Sequence, residues 1–207
     1  MRNKTLVLGA VALLAGSVWT AGATADEYTD LDAWKAAVAE WTLINFDTDP
    51  AGDPLFDGPI GEIYADYGVS FPPGNDISST FWGPVSPPNG WINNTLVDDG
   101  RQFDFEVTVG DIYAAGAHNV GAGGTPNGSR LDAYNDDGDL LESVLSDGIS
   151  DTLDFFGVTT TEPIAYVTIT AIDPAGWGLD DLYVGVPEPA GLALLGLGTM
   201  LAGVRRR

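Results

Sequence analysis

Gln102–Val109 reads QFDFEVTV, with Phe103, Phe105, Val107 and Val109 alternating strictly with Gln102, Asp104, Glu106 and Thr108. Successive side chains of an extended chain point to opposite faces, so the pattern predicts a strand with one face in a core and one in water. The run AYVTITAI at 165–172 repeats it: Val167, Ile169 and Ala171 share one face, Tyr166, Thr168 and Thr170 the other. Working outward, shorter strands are expected at Leu43–Asp47, Ile63–Phe71, Ile92–Val97, Ile112–Ala117, Arg130–Asn135, Leu140–Leu145, Thr152–Phe156 and Leu182–Val186. Turn residues such as Pro72-Pro73-Gly74, Asp137-Gly138 and Asp147-Gly148 separate them. Short, evenly spaced strands without alternating helices predict a mainly β fold, an antiparallel β-sandwich. One helix is expected at its N-terminal edge, over Thr29–Trp41, where Leu31, Trp34, Val38 and Trp41 fall on one helical face. Thr29 and Asp32 approximate a capping box, and the tryptophans are expected to pack onto the core. No internal repeat or interior linker interrupts the chain.

Both ends of the 207-residue chain read as delivery segments. Arg2 and Lys4 precede an apolar run, Leu6–Val18, and Ala23 and Ala25 stand at the spacing a signal peptidase accepts, so residues 1–25 are expected to be a signal peptide. At the other end Ala190–Val204 is 15 apolar residues, about 22 Å as a helix, followed by Arg205, Arg206 and Arg207. A C-terminal apolar helix of that length spans a hydrocarbon core only marginally, and the arginines would stay on the cytoplasmic side. Pro187 and Pro189 prevent it from continuing the last strand.

The domain between, residues 26–186, is about 160 residues long and large enough for a real core. Its basic residues are Lys35, Arg101 and Arg130, against 29 of the chain's 30 carboxylates. Such a surface repels nucleic acid and attracts cations. With six tryptophans in the chain a packed core is expected rather than disorder. There is no cysteine, which excludes disulfides, thiolate zinc sites and thiol nucleophiles.

Val186-Pro187-Glu188-Pro189, the apolar stretch and the terminal arginines together resemble the PEP-CTERM sorting signal. The resemblance implies transient insertion in the inner membrane, removal of the 187–207 tail by an exosortase-like enzyme, and delivery to the cell surface or extracellular polysaccharide. The same tail is sometimes described as an ice-binding protein C-terminal domain, a label that concerns the tail and not ice. Ile44-Asn45-Phe46-Asp47, Tyr67-Gly68-Val69-Ser70-Phe71, Phe156-Gly157-Val158, Pro163-Ile164 and Gly178-Leu179-Asp180-Asp181-Leu182 occur in the order seen in many PEP-CTERM surface proteins. Those domains are similar to jelly-roll sandwiches akin to carbohydrate-binding modules, which makes the expected sandwich jelly-roll-like.

The most informative polar constellation is GWGLDDLYVGV, residues 176–186. If Leu182, Val184 and Val186 face the core, a period of two puts Asp180 inside, where a carboxylate is costly unless paired. A structural calcium ion is one partner, with Asp180, Asp181 and, if first and last strands are neighbours as in jelly rolls, Asp47 as ligands. Backbone hydrogen bonds, Arg101 or Arg130 are the others. Asn135-Asp136-Asp137-Gly138-Asp139 has the wrong register for a calcium loop, since Ala133 and Val144 fall where acids are needed; a hairpin turn is expected. Trp82 and Trp91, with Asn93 and Asn94 beside them, are candidates to stack on and hydrogen-bond a sugar, or else to fold back onto the sandwich edge. His118, the only histidine, falls in a glycine-rich stretch read as a flexible loop, without a nucleophile elbow or phosphate-binding motif. Carboxylates are too many for any pair to signal glycoside hydrolysis. The expectation is an exported, non-enzymatic surface or matrix protein whose sandwich contacts extracellular polysaccharide. The alternatives are a structural or adhesive surface protein without a sugar site and, behind it, a polysaccharide-active enzyme.

Overall fold

The structure, a computed structural model, describes residues 25–79, 86–93, 96–97, 100–108, 111–120, 129–146, 154–171 and 178–187. Along the chain run β1 (Asp26–Tyr28), helix α1 (Leu31–Ala37), β2 (Val38–Ile44), β3 (Gly58–Pro59), β4 (Val69–Ser70), β5 (Asn75–Ser78), β6 (Gly90–Asn93), β7 (Leu96–Val97), β8 (Gly100–Val107), β9 (Ala114–Val120), β10 (Ser129–Tyr134), β11 (Leu140–Leu145), β12 (Asp154–Thr159), β13 (Tyr166–Ala171) and β14 (Gly178–Pro187). The fold is mainly β, with two antiparallel sheets and one α-helix among the described residues. One sheet has the order β1-β12-β9-β14-β6-β5-β3, with β2 also paired to β14; the other has the order β11-β10-β13-β8-β4, with β7 on β8.

The two sheets share one apolar core. Phe103 and Phe105 of β8, Leu131 and Ala133 of β10, and Val167 and Ile169 of β13 meet Ala115 and Ala117 of β9, Phe156 and Val158 of β12, and Leu182 and Val184 of β14. The alternation in QFDFEVTV has the expected consequence: Phe103 and Phe105 are fully buried while Glu106 faces solvent. Burying each such ring stabilises the fold by roughly 1.5–3 kcal/mol. The β10–β11 connection is the expected turn, with the Asn135 side chain accepting from the backbone N–H groups of Asp137 at 3.1 Å and Asp139 at 2.9 Å.

Helix α1 is shorter than the periodicity predicts. Asp30, not Thr29, caps it, accepting from the Ala33 N–H at 2.7 Å, and from Val38 onward the chain is strand, antiparallel to β14. Val38, Thr42 and Ile44 are β-branched, and the free edge of β14 offers hydrogen bonds that outweigh a weak helical pattern. Trp34 is buried as expected: it lies on the outer face of the first sheet with Phe155 and Tyr183 and donates from Nε1 to the Val158 carbonyl at 3.1 Å. The paired Gly116 and Gly157 make room for the Phe155 ring beside it, since a Cβ on either would come within 2.8 Å of that ring. Trp41, by contrast, stays 43% exposed, with the Lys35 ammonium 4.3 Å from its ring centre.

Other boundaries move for identifiable reasons. The strand expected over Ile63–Phe71 is mostly a turn and a 3-10 helix at Ala65–Tyr67, ended by Gly68 at φ 79°, leaving Val69–Ser70 as strand. Leu43–Asp47 is cut at Ile44 because Phe46 takes φ 59°. His118 is not in a loop: it sits in β9, whose seven residues are all buried. Ala25 and Val186 are exposed at the two ends of the described chain. Ala23, Glu188, Pro189, Arg205, Arg206, Arg207 and the expected apolar helix lie outside the described residues. No helix among the described residues is long and apolar enough to cross a membrane.

Candidate functional site

Strand β14 is forked. On the edge away from β9 it pairs first with β6, Leu179 opposite Trp91, and then with β2, Leu182 opposite Ile44. On the β9 edge the register slips at the same place: Asp180 is opposite His118, Tyr183 opposite Gly116, and both Asp181 and Leu182 are left against Ala117. This is a bulge, and Asp181 takes φ 47° within it. The slip lets Leu179 and Leu182 both join the core, which strict alternation would forbid. It also defeats the simple period-of-two placement of Asp180 from Leu182 and Val184.

The fork leaves backbone groups without ladder partners, and side chains supply them. Asp180, fully buried, accepts from the Ser86 N–H at 2.9 Å and the Asp181 N–H at 2.8 Å. Asp181 accepts from the Ser86 hydroxyl at 2.7 Å, and Asp47 from the Asn89 N–H at 2.9 Å. Asn89 donates to the carbonyls of Phe46 and Leu55 at 3.1 and 3.2 Å, stitching the chain leaving β2 to the chain approaching β6. Burial pushes the Asp180 carboxyl up to about 7, with the nearby Asp181 and Asp47 charges adding to the shift and the two N–H donors opposing it. Asp47 is raised by burial and by Asp181 against its Asn89 hydrogen bond. Asp181 is raised by burial, with the Ser86 hydroxyl and Lys35 pulling it back.

Asp47, Asp180 and Asp181 therefore meet at one junction, because β2, which leads into Asp47, pairs with the last strand β14. Their oxygens are engaged by N–H and O–H donors, the hydrogen-bonded alternative named from the sequence. Among the described residues no three His, Cys, Asp or Glu side chains are grouped to hold a metal. Arg130 is paired instead with Asp132 at 2.7 Å, and the Arg101 side chain lies outside the described residues.

Beside the fork opens a cleft of about 660 Å³. One wall carries Pro54, Leu55 and Phe56, the other Pro87 and Pro88, with Asp47, Asn89 and Asp57 adding polar groups. The Phe56 ring is 81% exposed. Its loop is braced: the Asp49 carboxylate accepts from the Ala51 and Asp53 N–H groups, each at 2.9 Å, and the Leu55 N–H donates to the Asp47 carbonyl at 2.8 Å. Asp57 accepts from the Ser79 N–H at 2.6 Å, and this bond together with the Ser79 hydroxyl lowers its pKa.

Of the two tryptophans offered for sugar stacking or for folding back, Trp91 does not reach the surface. Trp91 is 0% exposed, packs edge-on against Phe71 and Phe103 at 5.1 and 5.2 Å, and donates from Nε1 to Asn75 Oδ1 at 2.9 Å. It is a core residue, because β6 is an interior strand whose Trp91 position faces the opposite sheet. Asn93 pairs with Asn75 through the strand register, and its side chain, like Trp82 and Asn94, lies outside the described residues. The sequence reading missed Phe56, an isolated ring in DPLFDG between turn residues, a composition that leaves an aromatic little chance of reaching a core. His118 is packed against Phe155 and Tyr183 at 5.5 and 5.8 Å, and its Nδ1 has no hydrogen-bond partner among the described residues. Burial, then the Lys35 charge, lowers its pKa to about 4, against a hydrogen bond to the Asp181 backbone.

The chain matches no protein-family model, no curated protein and no solved structure.

Proposed function

We propose that this is an exported, non-catalytic surface or matrix protein whose domain, a jelly-roll-like sandwich, binds polysaccharide through the cleft beside Phe56. One observation carries the binding: a solvent-facing aromatic ring on a braced loop, over a concave surface lined by prolines and a few convergent polar groups. Rings of this kind stack on sugar faces, and carboxylates and amides take the hydroxyls. The delivery half of the proposal rests on the two termini. Signal peptidase acts at Ala23–Ala25, the Val186–Pro189 motif and Arg205–Arg207 act as a PEP-CTERM signal, and an exosortase-like enzyme removes the tail after transient inner-membrane insertion.

A glycan array read with the full-length chain and with Phe56→Ala tests the binding. Binding by the first and loss in the second supports it. No binding by either favours a structural or adhesive surface protein without a sugar site. Hydrolysis or elimination products would instead point to a polysaccharide-active enzyme.

One structural calcium ion at Asp47, Asp180 and Asp181 is a second reading, favoured by the burial of Asp180 beside two like charges. A melting temperature that falls when chelator is added supports the ion; an unchanged one leaves the junction to its hydrogen bonds.

A further inference from the structure

We infer that the cleft selects a positively charged glycan, one built from hexosamines with free amino groups, over neutral and anionic glycans; this rests on the polysaccharide-binding reading. Charge complementarity is the ground. Two carboxylates, Asp47 and Asp57, line the cleft, and among the described residues its lining holds no lysine, arginine or histidine. The two basic side chains that the described residues place are committed elsewhere: Lys35 lies over the Trp41 and Tyr183 rings, and Arg130 is paired with Asp132.

The two acids are not equivalent. Asp47 sits on the fork side, with one oxygen on the Asn89 N–H. Asp57 is exposed, held by Ser79, and adjoins the exposed ring of Phe56 in sequence. A free amino sugar matches this pair of neighbours twice. Its ring face covers Phe56, and its ammonium sits against the Asp57 carboxylate. A carboxylated or sulfated glycan would place like charges together and be repelled. An N-acetylated or plain glucan would keep the stacking contact and lose the charged one. The acidity of the whole domain steers the same class of ligand toward the surface.

The test is calorimetric titration of the full-length chain with four probes: a glucosamine oligomer, its fully N-acetylated counterpart, a uronic-acid oligomer and a lysine oligomer. Mildly acidic buffer keeps the amine charged, and the lowered pKa of Asp57 keeps that carboxylate ionised. The glucosamine oligomer is expected to bind roughly fivefold more tightly than the N-acetylated one, and the uronic-acid oligomer not to bind. The preference should shrink with added salt. Asp57→Asn should bring the two glucosamine probes to equal affinity, while Phe56→Ala weakens both. Equal binding of both probes by the unaltered chain overturns the charge selection and leaves the polysaccharide reading standing. Binding of the lysine oligomer as tight as that of the amino-sugar oligomer, untouched by Phe56→Ala, overturns the glycan as the occupant. No binding of any probe, with the fold intact by circular dichroism, overturns both.

Discussion

The two sheets treat their ladders differently. In the second sheet β10, β13 and β8 run in unbroken register from Ser129 opposite Ala171 to Tyr166 opposite Glu106, and the buried Asp132 on it has Arg130 and Ser143 as partners. In the first sheet β14 changes partner from β6 to β2, slips against β9, and buries Asp180 with no cation within hydrogen-bonding reach among the described residues. The regular ladder makes a core wall; the broken one collects carboxylates, positive φ values and the cleft. Strain and buried charge concentrate where a structure is used for something other than holding itself together.

If that division is right, the largest loss comes from the regular sheet. Phe105→Ala should cost about 3–5 kcal/mol, read as a lowered denaturant midpoint, because it empties the core both sheets share. A ring deletion at the exposed Phe56 should leave the midpoint within about 0.5 kcal/mol, and a larger loss would show the loop to be part of the core.

Next come the variants at the fork. Asp180→Ala strands the Ser86 and Asp181 N–H groups and should cost about 1–3 kcal/mol. Its titration sharpens the comparison. The Asp180 carboxyl is raised from 3.8 to about 7 in the fold, so between those values the folded chain holds a proton that the unfolded chain has released. Stability from this group is therefore full below pH 3.8 and is lost as pH rises toward 7. Asp47 and Asp181 are raised too and act in the same direction. His118, its cross-strand partner, does the reverse. Lowered from 6.5 to about 4, it stays neutral in the fold while the unfolded chain takes up a proton, so its contribution is lost as pH falls from 6.5 toward 4. The two slopes oppose each other. Asp180→Asn should expose a loss of stability toward acid, and His118→Gln a loss toward neutral pH, each measured as chemical denaturation at several pH values. Parallel pH profiles for the two variants would contradict the assignment. A smaller loss than at the fork is expected from Lys35→Met, about 0.5–1 kcal/mol, from the lost contact with the Trp41 and Tyr183 rings.

What the sequence disclosed follows the same line. Strands β8 and β13 were legible because the alternation in 102–107 and 166–171 is local and one face of each enters the core. The end of α1 was not: Leu31, Trp34, Val38 and Trp41 fit a helix as well as they do, and only the free edge of β14, distant in sequence, draws Val38–Ile44 into a strand. Asp47, Asp180 and Asp181 could be placed together because the strand expected to carry Asp47, which corresponds to β2, does neighbour the last strand, although β1 precedes it and pairs with β12 instead. The bulge that joins them could not, since nothing in LDDLYV marks which residue takes φ 47°. Trp91 misled because its Asn-Gly neighbours suggest a loop, whereas the strand it lies in is interior. Phe56 was overlooked because a single ring has no period to detect.

The most direct test of the cleft is hydrogen exchange on the full-length chain with and without a polysaccharide that it binds. Slowed exchange at Asp47–Asp57 and at Ser86–Asn89, with Ser129–Tyr134 and Tyr166–Ala171 unchanged, is the predicted result. Protection on the second sheet, with the Phe56 loop unaffected, would contradict it.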